Sequence, residues 1–398
     1  VVLPSALFPT YNRANVAFVR GEGAYLFAED GKRYLDLGAG IAVAAFGHAH
    51  PRLVKALTEQ AGKIWHTSNL YRVPGQEILA RKLAEHSFAD VAFFTNSGTE
   101  AIELAIKTAR RWQFVNGHPE RFHIVTFEGA FHGRTYAAVN ATGNEKYLEG
   151  FGPKMAGFDQ VPPEDFDALL KVVGSQTGAI LIEPVQGEGG VKPVSLEFLR
   201  KLRKLCDDSG LLLIFDEIQT GLGRTGKLFA HEWAGITPDI MTLAKAIGGG
   251  FPLGAVLATA DAAKGMTAGT HGTTYGGNPL AMAVANEAVD MVLEPQLLLH
   301  VNKIANYLHQ QLGALVAGHP ALFEDVRGQG LMIGLKMKTP SGDFIAQARE
   351  NGLIVLPAGD NVVRLLPPLN LTEDEARQGI ELLNKTATDI EARKVAAQ

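Results

Sequence analysis

Asp216 and Lys245 are the residues whose setting first offers chemistry, because each follows an apolar run. Leu211, Leu212, Leu213, Ile214 and Phe215 form a continuous run, the pattern of a strand buried on both faces of a parallel sheet, and Asp216 stands where it ends. Ile240, Met241, Thr242 and Leu243 read as a second buried segment, and Lys245 follows it just ahead of Gly248, Gly249 and Gly250. Strand ends are where sites of open α/β sheets collect. Two readings fit this carboxylate and amine. One is a plain ion pair, which also places charge beside apolar segments. The other is a pyridoxal 5'-phosphate site, in which the lysine forms an imine with the cofactor aldehyde. There the aspartate pairs with the protonated pyridine nitrogen and keeps the ring an electron sink.

Other stretches carry matching residue types. Phe93, Phe94 and Thr95 end an apolar strand, and the residues from Asn96 open a helix predicted to continue to about Trp112. Ser97 and Glu100 have the spacing of a capping box. Gly98 removes a side chain where an anion would approach the exposed amides at the positive end of that helix, so phosphate binding competes with simple capping. No Walker-type lysine follows and no dinucleotide glycine fingerprint is present. In the turn-prone stretch 129–135, Phe131 can stack on a heteroaromatic face and Arg134 can grip a carboxylate through two parallel hydrogen bonds. A core phenylalanine and a solvated arginine are the alternative. Glu183 and Glu188 follow the apolar run 179–182, and two carboxylates there fit general acid and base work, although that leaves Lys245 idle. Gln219, after Asp216, Glu217 and Ile218, is placed to donate to a ligand at the strand end, or is part of an ordinary polar loop. Thr273 and Thr274 lie in the small-residue stretch 271–279, a phosphate or carboxylate contact or a tight turn. Arg364 sits inside the apolar run 362–366, where a charge is costly unless a ligand carboxylate or Glu188 pairs with it.

The elements that must position these residues follow from pattern. Apolar runs at 91–95, 123–127, 179–182, 211–215, 240–243 and 255–258 alternate with helical segments, which predicts a large α/β domain with a mainly parallel sheet over 51–294. Residues 16–37 alternate apolar and polar around a turn at Glu29, Asp30 and Gly31, which predicts short antiparallel strands, and residues 1–50 are read as part of a small lobe. From about Pro295 helical spacing at 301–316, strands at 331–337 and 353–356 and a helix at 373–395 predict a small α+β domain, 295–398, completed by the N-terminal residues. The 398 residues suffice for a large core. The formal net charge of −5, with scattered basic residues, gives no footprint for nucleic acid. Cys206 is the single cysteine and sits in a helix-like setting that fits packing, so neither an intrachain disulfide nor a cysteine-based metal site is expected. No apolar segment approaches a membrane span and residues 1–10 lack the order of a signal peptide, so a cytoplasmic protein is expected.

Taken together, the stretches 96–101, 130–135, 183–190, 215–223, 243–254 and 271–279, in this order, resemble the class III, or omega-amino-acid, aminotransferases, which use pyridoxal phosphate on the type I fold. The resemblance covers nearly the whole chain. It implies that Lys245 holds the cofactor and shuttles protons, with Asp216 at the pyridine nitrogen. It further implies that Gln219 bonds the ring hydroxyl, Phe131 stacks on the ring, and Gly98 with Thr99 holds the phosphate; Ser97, Glu217 and Ile218 join the cofactor-binding set. Thr274 would reach the phosphate of a neighbouring subunit's cofactor, which implies an obligate homodimer with sites at the interface. Residues 9–11, 40–43 and 65–69 are most similar to the acetylornithine branch, and Tyr11 joins the substrate-binding set. Ile41 stands where ornithine enzymes carry a tyrosine, which favours an acylated substrate. Arg134 and Thr273 would hold the α-carboxylate end of N2-acetylornithine and Arg364 the distal carboxylate of 2-oxoglutarate. Glu188 would neutralise Arg364 while the amine donor is bound and swing aside for the acceptor. Succinylornithine, succinyl-diaminopimelate, ornithine and 4-aminobutyrate aminotransferases are sister alternatives, and an aminomutase or racemase of the same fold is a more remote one.

Overall fold

The computed structural model describes residues 6–396. Near the N-terminus β1 (Phe18–Glu22), β2 (Tyr25–Ala28) and β3 (Arg33–Asp36) pair antiparallel, in keeping with the alternation over 16–37. The central strands are β4 (Val91–Thr95), β5 (His123–Phe127), β6 (Phe158–Val161), β7 (Thr177–Ile182), the short hairpin β8 (Val185–Gln186) and β9 (Lys192–Pro193), then β10 (Leu212–Asp216), β11 (Ile240–Leu243) and β12 (Gly254–Ala258). Seven of these make one sheet in the order β4-β12-β11-β10-β7-β5-β6. All run parallel except β12, which is antiparallel to both neighbours.

The continuous apolar runs have a direct cause in this sheet. Leu212 and Ile214 pack on one face with Ile102, Ala105 and Ile106 of the helix Gly98–Val115. Leu213 and Phe215 pack on the other with Phe198, Leu202 and Cys206 of the helix Leu196–Ser209. Both faces of β10 are covered, so neither alternate position tolerates a polar side chain. Cys206 is packed in that second layer, and burial pushes its thiol up out of reach of ionisation at neutral pH.

The C-terminal strands are β13 (Phe323–Gln329), β14 (Met332–Met337), β15 (Leu353–Ile354), β16 (Leu356–Ala358) and β17 (Val362–Leu365). Four of them form a sheet in the order β13-β14-β17-β16. The single strand expected at 353–356 is two: β15 pairs parallel with β3 of the N-terminal sheet, and β16 pairs antiparallel with β17. The apolar pattern of the sequence does not announce β6 or β13. Both are edge strands, and the polar residues of β13, Glu324 and Asp325, are exposed there, so neither carries the two-faced apolar pattern of the centre. The last helix runs Glu373–Ala396.

Candidate functional site

Strands β4, β5, β7, β10 and β11 are mutually parallel, so the loops leaving their C-terminal ends converge on one side of the sheet. They bring Asn96 to Thr99, Phe131 to Arg134, Glu183 and Glu188, Asp216 with Ile218 and Gln219, and Ala244 with Lys245 around one cavity of about 420 Å³. Val43 and residues 250–253 complete the wall.

Asp216 and Lys245 line this cavity without bonding each other. Among the described residues no ion pair joins them, which removes the plain ion-pair reading. Asp216 Oδ2 instead lies 2.8 Å from His132 Nδ1, while Oδ1 accepts the Ile218 N–H at 3.1 Å and the Thr242 hydroxyl at 3.3 Å. Both members of the His132–Asp216 pair are buried, and the second ring nitrogen of His132 has no partner among the described residues. A buried carboxylate held by this many donors is strongly oriented. Beside it Glu183 Oε2 accepts the Phe131 N–H at 2.9 Å, and Oε1 accepts the Gly187 N–H at 3.4 Å. Burial, with the nearby Asp216 charge adding to it and His132 opposing, pushes the Glu183 carboxyl up to about 7.

Lys245 opens the 3-10 turn after β11 with a left-handed φ of 50°, a conformation that costs a non-glycine residue about 1–3 kcal/mol and recurs at functional sites. Its amine makes no hydrogen bond and no ion pair with any described residue. Burial lowers its pKa to about 8; Glu188, Asp216 and Glu183 act against that fall and Arg364 adds to it.

At the start of the helix Gly98–Val115, Ser97 Oγ accepts the Glu100 N–H at 3.4 Å. The capping box is displaced by one residue, because Glu100 Oε2 reaches back to the Asn96 N–H at 2.6 Å rather than to Ser97. The N–H groups of Gly98 and Thr99 have no partner among the described residues and stay available to an anion. A Cβ on Gly98 would sit 2.7 Å from Ile218 Cδ1, so the glycine also makes room for Ile218. The Thr99 hydroxyl meets the Thr135 hydroxyl at 2.8 Å and accepts the Arg134 and Thr135 N–H groups, which leaves the Thr99 N–H, with that of Gly98, open to a phosphate.

Arg364, on β17, is 1% exposed. Its Nη1 donates to Glu188 Oε1 at 2.6 Å and to Gln219 Oε1 at 3.2 Å, and Nη2 donates to the Pro357 carbonyl at 3.3 Å. Of the two partners the sequence allows this arginine, Glu188 is the one in hand. Arg134 is exposed, with its guanidinium 3.7 Å from the centre of the Tyr147 ring and 5.6 Å from that of Phe131.

Three residues expected at this cavity, Glu217, Thr273 and Tyr11, are not brought to it, while Thr274 is expected at a neighbouring subunit's cofactor instead. Glu217 is turned away, accepting the Ala230 and His231 N–H groups at 2.7 and 2.9 Å and lying 3.0 Å from His231 Nδ1; it caps the turn Ala230–Trp233 and has no free oxygen to offer a cofactor. Thr273 accepts the Gly276 N–H at 3.0 Å and borders a different cavity of about 500 Å³ with Asn69 and Gln76. Thr274 and Tyr11 are exposed and line neither. Conversely, sequence reasoning gives His132 and Tyr147 no role, and Glu183 only that of one half of an acid–base pair. The signal for His132 lies in Asp216 itself, since a carboxylate buried at a strand end needs a donor.

These walls fit pyridoxal phosphate on three observations: an oriented, buried carboxylate at Asp216, an uncommitted amine at Lys245, and two unpaired N–H groups at a helix start. Comparison with known proteins points the same way. A family model, Aminotransferase class-III, matches residues 9–387. The chain is 58% identical over 388 residues to the acetylornithine aminotransferase of Agrobacterium fabrum, covering 98% of this chain and 97% of that one. Among solved structures it resembles the ornithine aminotransferase of Toxoplasma gondii, with TM-score 0.94, 31% identity, and 98% and 94% of the two chains covered. It also resembles the N-acetylornithine aminotransferase of Stenotrophomonas maltophilia, with TM-score 0.85, 37% identity, and 98% of each chain covered.

Proposed function

The chain belongs to the class-III aminotransferases, pyridoxal-phosphate-dependent enzymes, and on that premise we propose that it moves the terminal amino group of N2-acetyl-L-ornithine to 2-oxoglutarate, giving N-acetylglutamate 5-semialdehyde and L-glutamate. The observation that carries this reading is the Arg364–Glu188 pair beside the Lys245 amine. A buried guanidinium met by a carboxylate that is itself 32% exposed is a site where a substrate carboxylate can take the place of the protein's own. One site must accept a donor with a single carboxylate and an acceptor with two. Glu188 neutralises Arg364 for the first and yields it to the second.

The residues divide the work. Lys245 would hold the cofactor and move the proton at the carbon that bears the transferred nitrogen, and burial already lowers the pKa of its amine in the cofactor-free protein, which favours the neutral form. Asp216, oriented by His132, would meet the ring nitrogen. The Gly98 and Thr99 N–H groups would meet the phosphate, and Phe131 would face the ring. Gln219 has its amide nitrogen left for the ring hydroxyl, its oxygen being spent on Arg364. The bound cofactor supplies an electron sink for the carbon that loses its proton. Arg134 takes the α-carboxylate end of the donor.

A second copy of the chain completes the site in this reading. Thr273, Thr274 and Tyr11 act across an interface rather than within one chain, and the exposed Trp65, Leu70, Tyr71 and Tyr275 supply apolar surface for it. Free ornithine is the competing donor, favoured by the fold match to the Toxoplasma gondii enzyme. Mixing the purified protein with each amine and following the visible absorbance of the bound cofactor distinguishes them. N2-acetylornithine is expected to bleach it fastest and Lys245→Ala to abolish the response; faster reaction with ornithine overturns the donor assignment.

A further inference from the structure

Glu183 is buried in the cavity wall, and its two oxygens are spent on two different loops. Oε2 takes the N–H of Phe131, a residue of the cavity wall, and Oε1 takes the N–H of Gly187, directly before Glu188. We infer that Glu183 is a positioning residue, a charged clasp that ties the loop of Phe131 to the loop of Glu188, so that cofactor and acceptor sides of the cavity are set together. The inference rests on the cofactor site proposed above and adds a role that none of its assigned residues performs.

The chemistry of a carboxylate makes the clasp sensitive to protonation. Ionised, both oxygens accept strongly, which matches two N–H donors; protonated, the charge is lost and one oxygen becomes a hydroxyl, a weaker acceptor, so the tie to one loop loosens. The charged groups facing Glu183 are Asp216, His132 and Lys245. Burial and Asp216 raise its pKa to about 7, so the clasp is closed above that value and loosens as pH falls through it. Backbone geometry reinforces the tie on the Glu188 side. A Cβ on Gly187 would lie 2.5 Å from Gln219 Oε1, and the Gly359 N–H holds the Glu188 carbonyl at 2.7 Å, so that loop has little freedom to readjust once its bond to Glu183 is weakened.

The test measures two quantities for the parent chain and Glu183→Gln: the dissociation constant of pyridoxal phosphate, by fluorescence across pH, and the Michaelis constant for the dicarboxylate acceptor. Loss of the charge and of one of the two acceptors is expected to weaken cofactor binding about tenfold above pH 7 and to raise the Michaelis constant for the acceptor several-fold with little change for the donor. The fall in cofactor affinity expected of the parent below about pH 7 should be absent from the variant. An unchanged pH profile, or a loss of cofactor affinity with no change in acceptor saturation, overturns the clasp. If Glu183→Gln does not fold, Glu183→Asp keeps the charge on a shorter arm and must bind the cofactor more weakly while keeping the pH dependence; a flat profile there also overturns it. Failure of the parent to use an acylated donor would refute the substrate assignment alone, because the cofactor titration needs no substrate.

Discussion

An amine that is to capture an aldehyde must be neutral, and the environment of Lys245 decides how often it is. In the cofactor-free protein burial brings its pKa from 10.5 to about 8. At pH 7 the neutral fraction is then about one in ten, against about one in three thousand for the ordinary lysine, a gain of roughly 300-fold in reactive amine. Competitive labelling with limiting acetic anhydride, from about pH 6 to about pH 11, reads this directly when the Lys245 peptide is compared with free Nα-acetyl-lysine. Its reactivity should rise about tenfold per pH unit and level off near pH 8. Two variants test the cause with opposite signs. Glu188 is the largest charge holding the pKa up, so Glu188→Gln should move the midpoint lower; Arg364 pushes it down, so Arg364→Leu should move it higher. A midpoint above about pH 10, or both variants shifting the same way, would refute the assignment of the shift to burial and these two charges.

Glu188→Ala leaves the Arg364 guanidinium with only Gln219 and the Pro357 carbonyl, so the discrimination between donor and dicarboxylate acceptor should narrow in steady-state kinetics; unchanged discrimination would sink the switch. Gly254→Ala places a Cβ 2.4 Å from both the Ser97 carbonyl and the Thr95 hydroxyl, where backbone must move. A loss of about 1–3 kcal/mol in urea unfolding, together with weaker cofactor binding, is expected from displacing the 96–98 turn, and a neutral result in both would contradict that contact.

Much of the cavity is legible in the sequence because its residues follow buried strands. Asp216, Lys245, Ser97, Phe131, Glu183 and Glu188 all stand just past an apolar run, and all line the cavity. Glu217 shows where this signal stops. It follows β10 as Asp216 does, yet its backbone directs it to the turn Ala230–Trp233, a partner that no local pattern announces. Thr99 shows a second limit: its place at the helix start can be read from the sequence, while the Thr135 hydroxyl that its own hydroxyl meets cannot. The edge strands β6 and β13 escape the pattern because exposure on one side dilutes the apolar run that marks the centre.

Apolar runs alone point to the mainly parallel sheet and to the strand ends where chemistry collects, and ordered motifs point to the family. Period and hydrophobicity are local properties, written within a few residues of where they act. Which loops meet is settled in the folded chain: Asp216 answers to His132 rather than to Lys245, Glu188 reaches Arg364 from a distant part of the chain, and Glu183 holds two loops at once. Those choices depend on strand order and on which buried polar group lacks a partner, and neither is encoded near the residues it joins.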